Sequence, residues 1–184
     1  MSTPADIRAR LAHTLDVAEE GVVQVGKLRH LVVSPGLISE IQKGVEDRLG
    51  SKASEYLYAA GANWAAELCR RFRKAMGHDA PEELARLLCE HATEMGWGQW
   101  RCEALSGDER GLMVRVRRSP LASAYGSSDA PVCHILAGAV GALCEAVFHV
   151  PAACNEESCA AQGAPDCLFV ATGTDLAAAD SWAW

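Results

Sequence analysis

Ile7, Leu11, Leu15 and Ala18 recur at the three- and four-residue steps of one helix face, behind a Thr3-Pro4-x-Asp6 start and ahead of Gly21. The spacing predicts an N-terminal helix within a helical extension over residues 1–25. Leu28 to Val33 is rich in β-branched residues and predicts a short strand. Ser34-Pro35 opens a second helix carrying Leu37, Ile38, Ile41, Val45 and Leu49, with Gly50 as its stop. A third helix, Ser54 to Met76, places Leu57, Gly61, Trp64, Ala65, Leu68 and Phe72 at helical spacing. Its small residues Ala59, Ala60, Gly61 and Ala62 would let another helix or a flat ligand come close. Asp79-x-x-Glu82 reads as a capping box for a fourth helix with Leu84, Leu87, Leu88, His91 and Met95 inside and Gly96 at its end.

From Trp97 the period changes to two. Trp97 to Leu105 and Leu112 to Arg117 predict a β-hairpin whose second strand alternates apolar and basic residues. Ser119 to Pro131 reads as a loop. Val132 to Phe148 is almost wholly apolar, with Gly138 and Gly141 three apart, so it predicts a helix buried against the sheet. Strands at about 149–156 and 167–172 follow, joined by a turn with Gly163, Pro165 and Asp166. The expected fold class is α+β: N-terminal helices packed on a mostly antiparallel sheet with a buried helix, one domain over residues 26–172. Residues 173–184 have no period and read as a frayed tail.

Composition narrows the function classes. Nearly half the chain is apolar (49%) and 22% is charged, as in a soluble globular protein. No apolar run approaches the ~18 residues that cross a bilayer. The N-terminus lacks a basic region followed by an apolar core, so a cytoplasmic location is expected. Net charge is −7, and every Lys and Arg lies at or before Arg118. The short basic runs at residues 70–74 and 115–118 are the size of one solvated face, so no nucleic-acid partner is expected.

Eight cysteines without an export signal call for something other than a secreted disulfide framework. Five of them, Cys133, Cys144, Cys154, Cys159 and Cys167, fall in the base-free region. Glu156-x-x-Cys159, with Cys167 after a turn, sets three zinc-type ligands around one bend, and Cys133 at the head of the apolar helix is the obvious fourth. A divalent cation there would relieve repulsion among ligands that bind deprotonated. Were Cys154 to join the other three cysteines, four thiolates could hold an iron–sulfur cluster instead. Cys69, Cys89 and Cys144 lie on helix faces among Leu and Ala, as ordinary buried thiols do. Cys102 is open to either reading.

The segments Cys133-His134-Ile135-Leu136-Ala137-Gly138 and Asn155-Glu156-Glu157-Ser158-Cys159-Ala160-Ala161-Gln162-Gly163-Ala164-Pro165-Asp166-Cys167-Leu168-Phe169 resemble the 4-vinyl reductase domain family. The resemblance implies a fold like that of heme-based nitric oxide sensors, a homodimer, and structural zinc on Cys133, Glu156, Cys159 and Cys167. With its N-terminal segment and Arg118-Ser119-Pro120-Leu121-Ala122, the chain looks most like the branch found in bacteriochlorophyll biosynthesis. No ATPase or helix-turn-helix segment is present, so a complete transcriptional activator is not expected.

The family name implies vinyl reduction, but no G-x-G-x-x-G lies between a strand and a helix here. Zinc is redox-inert and a fully liganded zinc has no open position. The expectation is therefore a protein that binds or delivers magnesium porphyrin intermediates to enzymes of the magnesium branch. The alternatives are a vinyl reductase for a divinyl chlorophyll precursor and a stand-alone sensor of a small aromatic. A flat macrocycle needs aromatic walls and polar anchors. Tyr56, Trp64, Trp97 and Trp100 are candidate walls, and each aromatic could equally be plain core. His30, His91, His134 and His149 are candidate axial nitrogens, His134 foremost as the neighbour of Cys133. Arg115, with Arg117, could hold a propionate.

Overall fold

The computed structural model describes residues 15–19, 22–25, 28–77, 79–104 and 110–173. A small antiparallel sheet comes first: β1 (Leu15–Glu19), β2 (Val22–Val25) and β3 (Leu28–His30), in that order across the sheet. The expected N-terminal helix is thus corrected in its described part, since Leu15 to Glu19 is strand. Leu15 and Ala18 fit a helix face, but Val17, Val22, Val23 and Val25 favour the extended chain, and the two segments satisfy each other's backbone groups. Residues 1–14 and 174–184 lie outside the described residues, and with them most of the expected extension and nearly all of the tail.

Helix α1 (Pro35–Leu49) starts as read, with the Ser34 hydroxyl accepting from the Leu37 N–H and Pro35 in the first turn. Helix α2 (Ala53–Met76) ends on left-handed Gly77. Helix α3 (Pro81–Glu94) lacks the expected capping box: its N-cap is Ala80, and no side chain caps it. Asp79 instead pairs with Arg73 at 3.4 Å and with His149 at 3.0 Å, because Pro81 sets the helix start two residues later. Strands β4 (Gln99–Ala104) and β5 (Gly111–Arg117) form the expected hairpin. The expected loop after it contains a short helix, α4 (Pro120–Tyr125), capped by the Ser119 hydroxyl.

Helix α5 (His134–Phe148) is the centre of the domain. It lies between α2 and a four-stranded antiparallel sheet of order β4-β5-β7-β6, with β6 at Ala152–Ser158 and β7 at Cys167–Gly173. The sheet's inner face supplies Val114, Val116, Phe169 and Ala171, all fully buried against Leu136, Val140 and Leu143 of α5. The small residues of α2 and α5 have one use: to bring the two helices into backbone contact. A Cβ on Gly61 would lie 2.0 Å from the Ile135 carbonyl oxygen, and one on Gly138 would lie 2.0 Å from that of Tyr58. No flat ligand fits between them, which corrects that part of the expected slot. Among the described residues, no helix is long and apolar enough to cross a membrane.

Candidate metal centre and aromatic groove

Four elements converge at one corner of the sheet. Cys133 is the residue before α5, Cys159 follows β6 and opens a 3-10 turn (Ala160–Gln162), and Cys167 starts β7. Glu156 reaches the same point because β6 is irregular there: Glu156 faces Phe169 and Ser158 faces Leu168, two residues of β6 against one of β7. Such a bulge re-aims a side chain that regular alternation would send elsewhere. The turn back to Cys167 passes through left-handed Gly163, and the Gln162 and Ala164 N–H groups both donate to the Cys159 carbonyl.

The ligand atoms of Cys133, Glu156, Cys159 and Cys167 all lie within 4.8 Å of one another, and the three thiols are at most 1% exposed. Cys133 Sγ and Cys167 Sγ are 3.8 Å apart. That matches the sulfur–sulfur edge, about 3.8 Å, of a tetrahedron whose metal–sulfur bonds are about 2.3 Å. Glu156 accepts the Cys133 N–H on Oε2 at 2.9 Å, while its buried Oε1 has no hydrogen-bond partner. A buried carboxylate oxygen left unpaired is costly, and a cation in this cluster would satisfy it. The surroundings are tuned for thiolates: the Ala160 N–H donates to Cys167 Sγ, and the Ser119 hydroxyl sits 3.6 Å from Cys133 Sγ.

Protons are shared within the cluster. The hydrogen bond with Cys133, foremost, holds Cys159 down to about 4 and Cys167 down to about 7, while Cys133 itself is raised by the same two bonds. Burial, then Cys159, pushes Glu156 up to about 9. The cluster therefore carries anionic sulfur beside acidic protons that a divalent cation would displace. These residues can hold a metal ion. Cys154, the extra thiolate of the iron–sulfur alternative, is outside this group. It packs toward Gly141, and its N–H donates to the Tyr58 hydroxyl.

The expected ligand-pocket residues do not meet in one place. Trp64 and Trp97 do, with ring centroids 5.4 Å apart, in a groove of about 670 Å³ between the β3–α1 linker, α2, the end of α3 and α4. Trp100 lines a different cleft, and its indole N–H already donates to the Trp97 carbonyl. Tyr56 is 61% exposed and lines neither cavity. His134 is half-buried at the head of α5, where burial lowers its pKa, and it too lines neither. Arg115 stands on the outer face of the sheet, 3.8 Å from Asp166, and Arg117 is 3.5 Å from the same carboxylate. Of the four expected histidines, His30 and His91 line the groove, whereas His149 pairs with Asp79. Burial, foremost, lowers the His91 pKa, and the ring also meets Phe72 edge to face at 5.2 Å. Arg29 and Arg71 lie at the same groove and were not singled out from the sequence.

The fold defines a class. The phenol-responsive sensory domain of the transcription activator PoxR, solved with phenol, superposes with a TM-score of 0.74 at 19% identity, over 94% of this chain and 91% of that one. A vinyl-4-reductase family protein from Methanocaldococcus jannaschii matches with a TM-score of 0.53 at 18% identity, over 79% of this chain and 84% of that one. An H-NOX protein from S. oneidensis, in an Fe(II)NO ligation state, matches with a TM-score of 0.52 at 12% identity, over 93% and 90%. At such identities the likeness is one of fold. Within it, residues 112–172 match the model of the 4-vinyl reductase domain, a stretch that runs from β5 to β7 and contains all four residues of the metal corner. A comparison with curated proteins gives no match.

Proposed function

We propose that this chain is a zinc-containing tetrapyrrole-binding protein of bacteriochlorophyll biosynthesis, which holds magnesium porphyrin intermediates and delivers them to enzymes of the magnesium branch. The observation that carries the reading is the groove. Its volume lies in the range of about 300–1,000 Å³ usual for small-molecule sites, and its walls include the paired Trp64 and Trp97 rings, with Leu31, Val32 and Leu68. His91, kept neutral by burial, offers an imidazole to a chelated metal, and Arg29 and Arg71 offer guanidinium groups to carboxylates. The larger cleft is less suited to a dicarboxylate, because Glu82, Glu83, Glu90, Glu94 and Glu103 crowd it. The sequence resemblance to the bacteriochlorophyll branch of the family supplies the ligand class.

Zinc is the metal assigned to Cys133, Glu156, Cys159 and Cys167, where three thiolates and a carboxylate complete a closed structural set. Its place is to hold α5 to the β6–β7 turn, away from the groove.

The test is a titration of metal-loaded protein with magnesium protoporphyrin, read by the porphyrin absorption band and by tryptophan fluorescence. Saturable one-to-one binding that Trp97→Ala weakens supports the carrier reading. Absence of binding by folded, metal-loaded protein overturns it. A second reading, a sensor of a small aromatic, is favoured by the extent of the superposition on the phenol-responsive domain. Phenol binding with porphyrin refused would select that reading.

A further inference from the structure

A larger cleft, about 1220 Å³, opens between α3 and β4 on another side of the domain. It is lined by Cys89 of α3 and Cys102 of β4, neither of them part of the metal corner. Cys89 is 5% exposed and Cys102 is half-buried, and the two thiols are hydrogen-bonded to each other across the helix–strand interface. The interface is laced beside them. Thr93 Oγ1 donates to the Cys89 carbonyl at 2.8 Å and accepts the Trp100 N–H at 3.0 Å, which fixes the helix turn and the strand that carry the two thiols. The other cysteines have different surroundings: Cys144 and Cys154 donate to the backbone carbonyls of Ala171 and Asn155, and three thiols belong to the metal corner.

We propose that Cys89 and Cys102 are a reversible dithiol–disulfide site, closed and reopened by a small-molecule disulfide or thiol that enters this cleft. Exchange requires a thiolate with access to the attacking disulfide, and Cys102 meets both conditions. It is the more exposed of the two, and the hydrogen bond from Cys89 favours its anionic form. With oxidised glutathione, Cys102 Sγ attacks one sulfur, the glutathione S–S bond breaks, and one glutathione leaves and takes up a proton. Cys89 is raised first by its hydrogen bond with Cys102. Once Cys102 is in the mixed disulfide, that hindrance is gone. Cys89 then loses its proton and attacks Cys102 Sγ, expelling the second glutathione. Two protein thiols are oxidised by two electrons, and one disulfide is reduced to two thiols. Excess reduced glutathione runs the same steps backward.

The experiment incubates metal-loaded, full-length protein with oxidised glutathione, alkylates the remaining thiols and digests with trypsin without reduction. Cleavage after Arg86, Arg101 and Arg110 puts Cys89 and Cys102 on separate peptides, 87–101 and 102–110. The expected product is these two peptides joined, with the free-thiol count down by two, metal content unchanged, and full reversal by dithiothreitol. Cys89→Ser should stop at a glutathione adduct on Cys102, and Cys89→Ala serves if the serine variant fails to fold. A wild-type adduct on Cys102 that never resolves, or no thiol loss at all, overturns the proposal. Oxidation confined to Cys133, Cys159 and Cys167 with release of metal overturns it as well.

Discussion

The metal corner and the aromatic groove solve opposite problems. The corner is closed: its three thiols are at most 1% exposed, and each of its ligands sits at the edge of a regular element with a backbone of its own to hold it. The groove is open, and Leu31, Val32 and Trp64 on its walls are 82%, 78% and 44% exposed. Structural metal sites are closed because every coordination position is filled by protein. Binding sites must stay open and cover their apolar walls only when occupied. Rigidity is concentrated around α5 and the β6–β7 turn, and apolar exposure around β3, α1 and α2. Damage to the first region should unfold the protein, and damage to the second should empty it.

The sharpest break in that contrast is removal of a metal ligand. Cys159→Ser leaves Cys133, Cys167 and Glu156 crowded without their cation, and disrupting a buried charged site typically costs ~3–5 kcal/mol. For a chain of this size that is a drop in Tm of about 10 °C or more. Metal content by elemental analysis should fall with it, and a chelator acting on the wild type should reproduce the loss. If metal is lost while Tm holds, the corner is not a structural site.

Gly138→Ala is next in size. Its Cβ would meet the Tyr58 carbonyl oxygen at 2.0 Å, and the obstacle is backbone rather than a side chain that can turn away. Overpacking of this kind costs ~1–3 kcal/mol or more. Thermal melting should show the loss with bound metal retained, because the clash lies on the α2 side of α5 and the metal corner on the sheet side. An unchanged Tm would mean that α2 and α5 are not held as tightly as their backbones indicate.

Trp97→Ala should divide the two regions cleanly. Loss of a large aromatic wall commonly costs ~2 kcal/mol of binding or more, about 30-fold in affinity. Metal content should not change. A variant that binds porphyrin like the wild type would place the ligand outside the groove.

The same contrast governs what the sequence reveals. Glu156, Cys159 and Cys167 lie within one turn of the chain and Cys133 opens an apolar helix, so residue type and spacing were enough to bring the set together. The groove draws on β3, the linker, α1, α2, α3, Trp97 and α4, and no local pattern links them. Aromatic content picked out Trp64 and Trp97 but equally Tyr56 and Trp100, whose destinations depend on helix packing and strand register. Arg29 and Arg71 carried no signal beyond exposure. Cys89 looked like an ordinary core thiol because its partner, Cys102, lies on the following strand across a turn. At the N-terminus, a helical spacing of Leu15 and Ala18 lost to a hairpin rich in valine, since backbone pairing between two segments is not visible in either alone.

The smallest expected effect sits between the two regions. Helix α4 touches both, since Leu121 lines the groove and Ser119, its cap, contacts Cys133 Sγ. Its far end is tied to α1 by the Tyr125 hydroxyl, which donates to Glu46 Oε2 at 2.6 Å. That hydrogen bond, foremost, raises Tyr125 from 10.0 to about 12. A tyrosine whose pKa is raised on folding contributes stability that is complete below pH 10, where both states hold the proton. Above pH 10 the unfolded chain ionises first, and the contribution fades until the folded hydroxyl also ionises near pH 12. Because the pair is partly solvated, Tyr125→Phe should cost at most ~1 kcal/mol at neutral pH. Urea midpoints of the two proteins should converge between pH 10 and 12, and using their difference cancels the titration of Tyr58, which burial also raises. A gap that stays constant through pH 12 would mean that Tyr125 stabilises α4 by packing rather than by its proton.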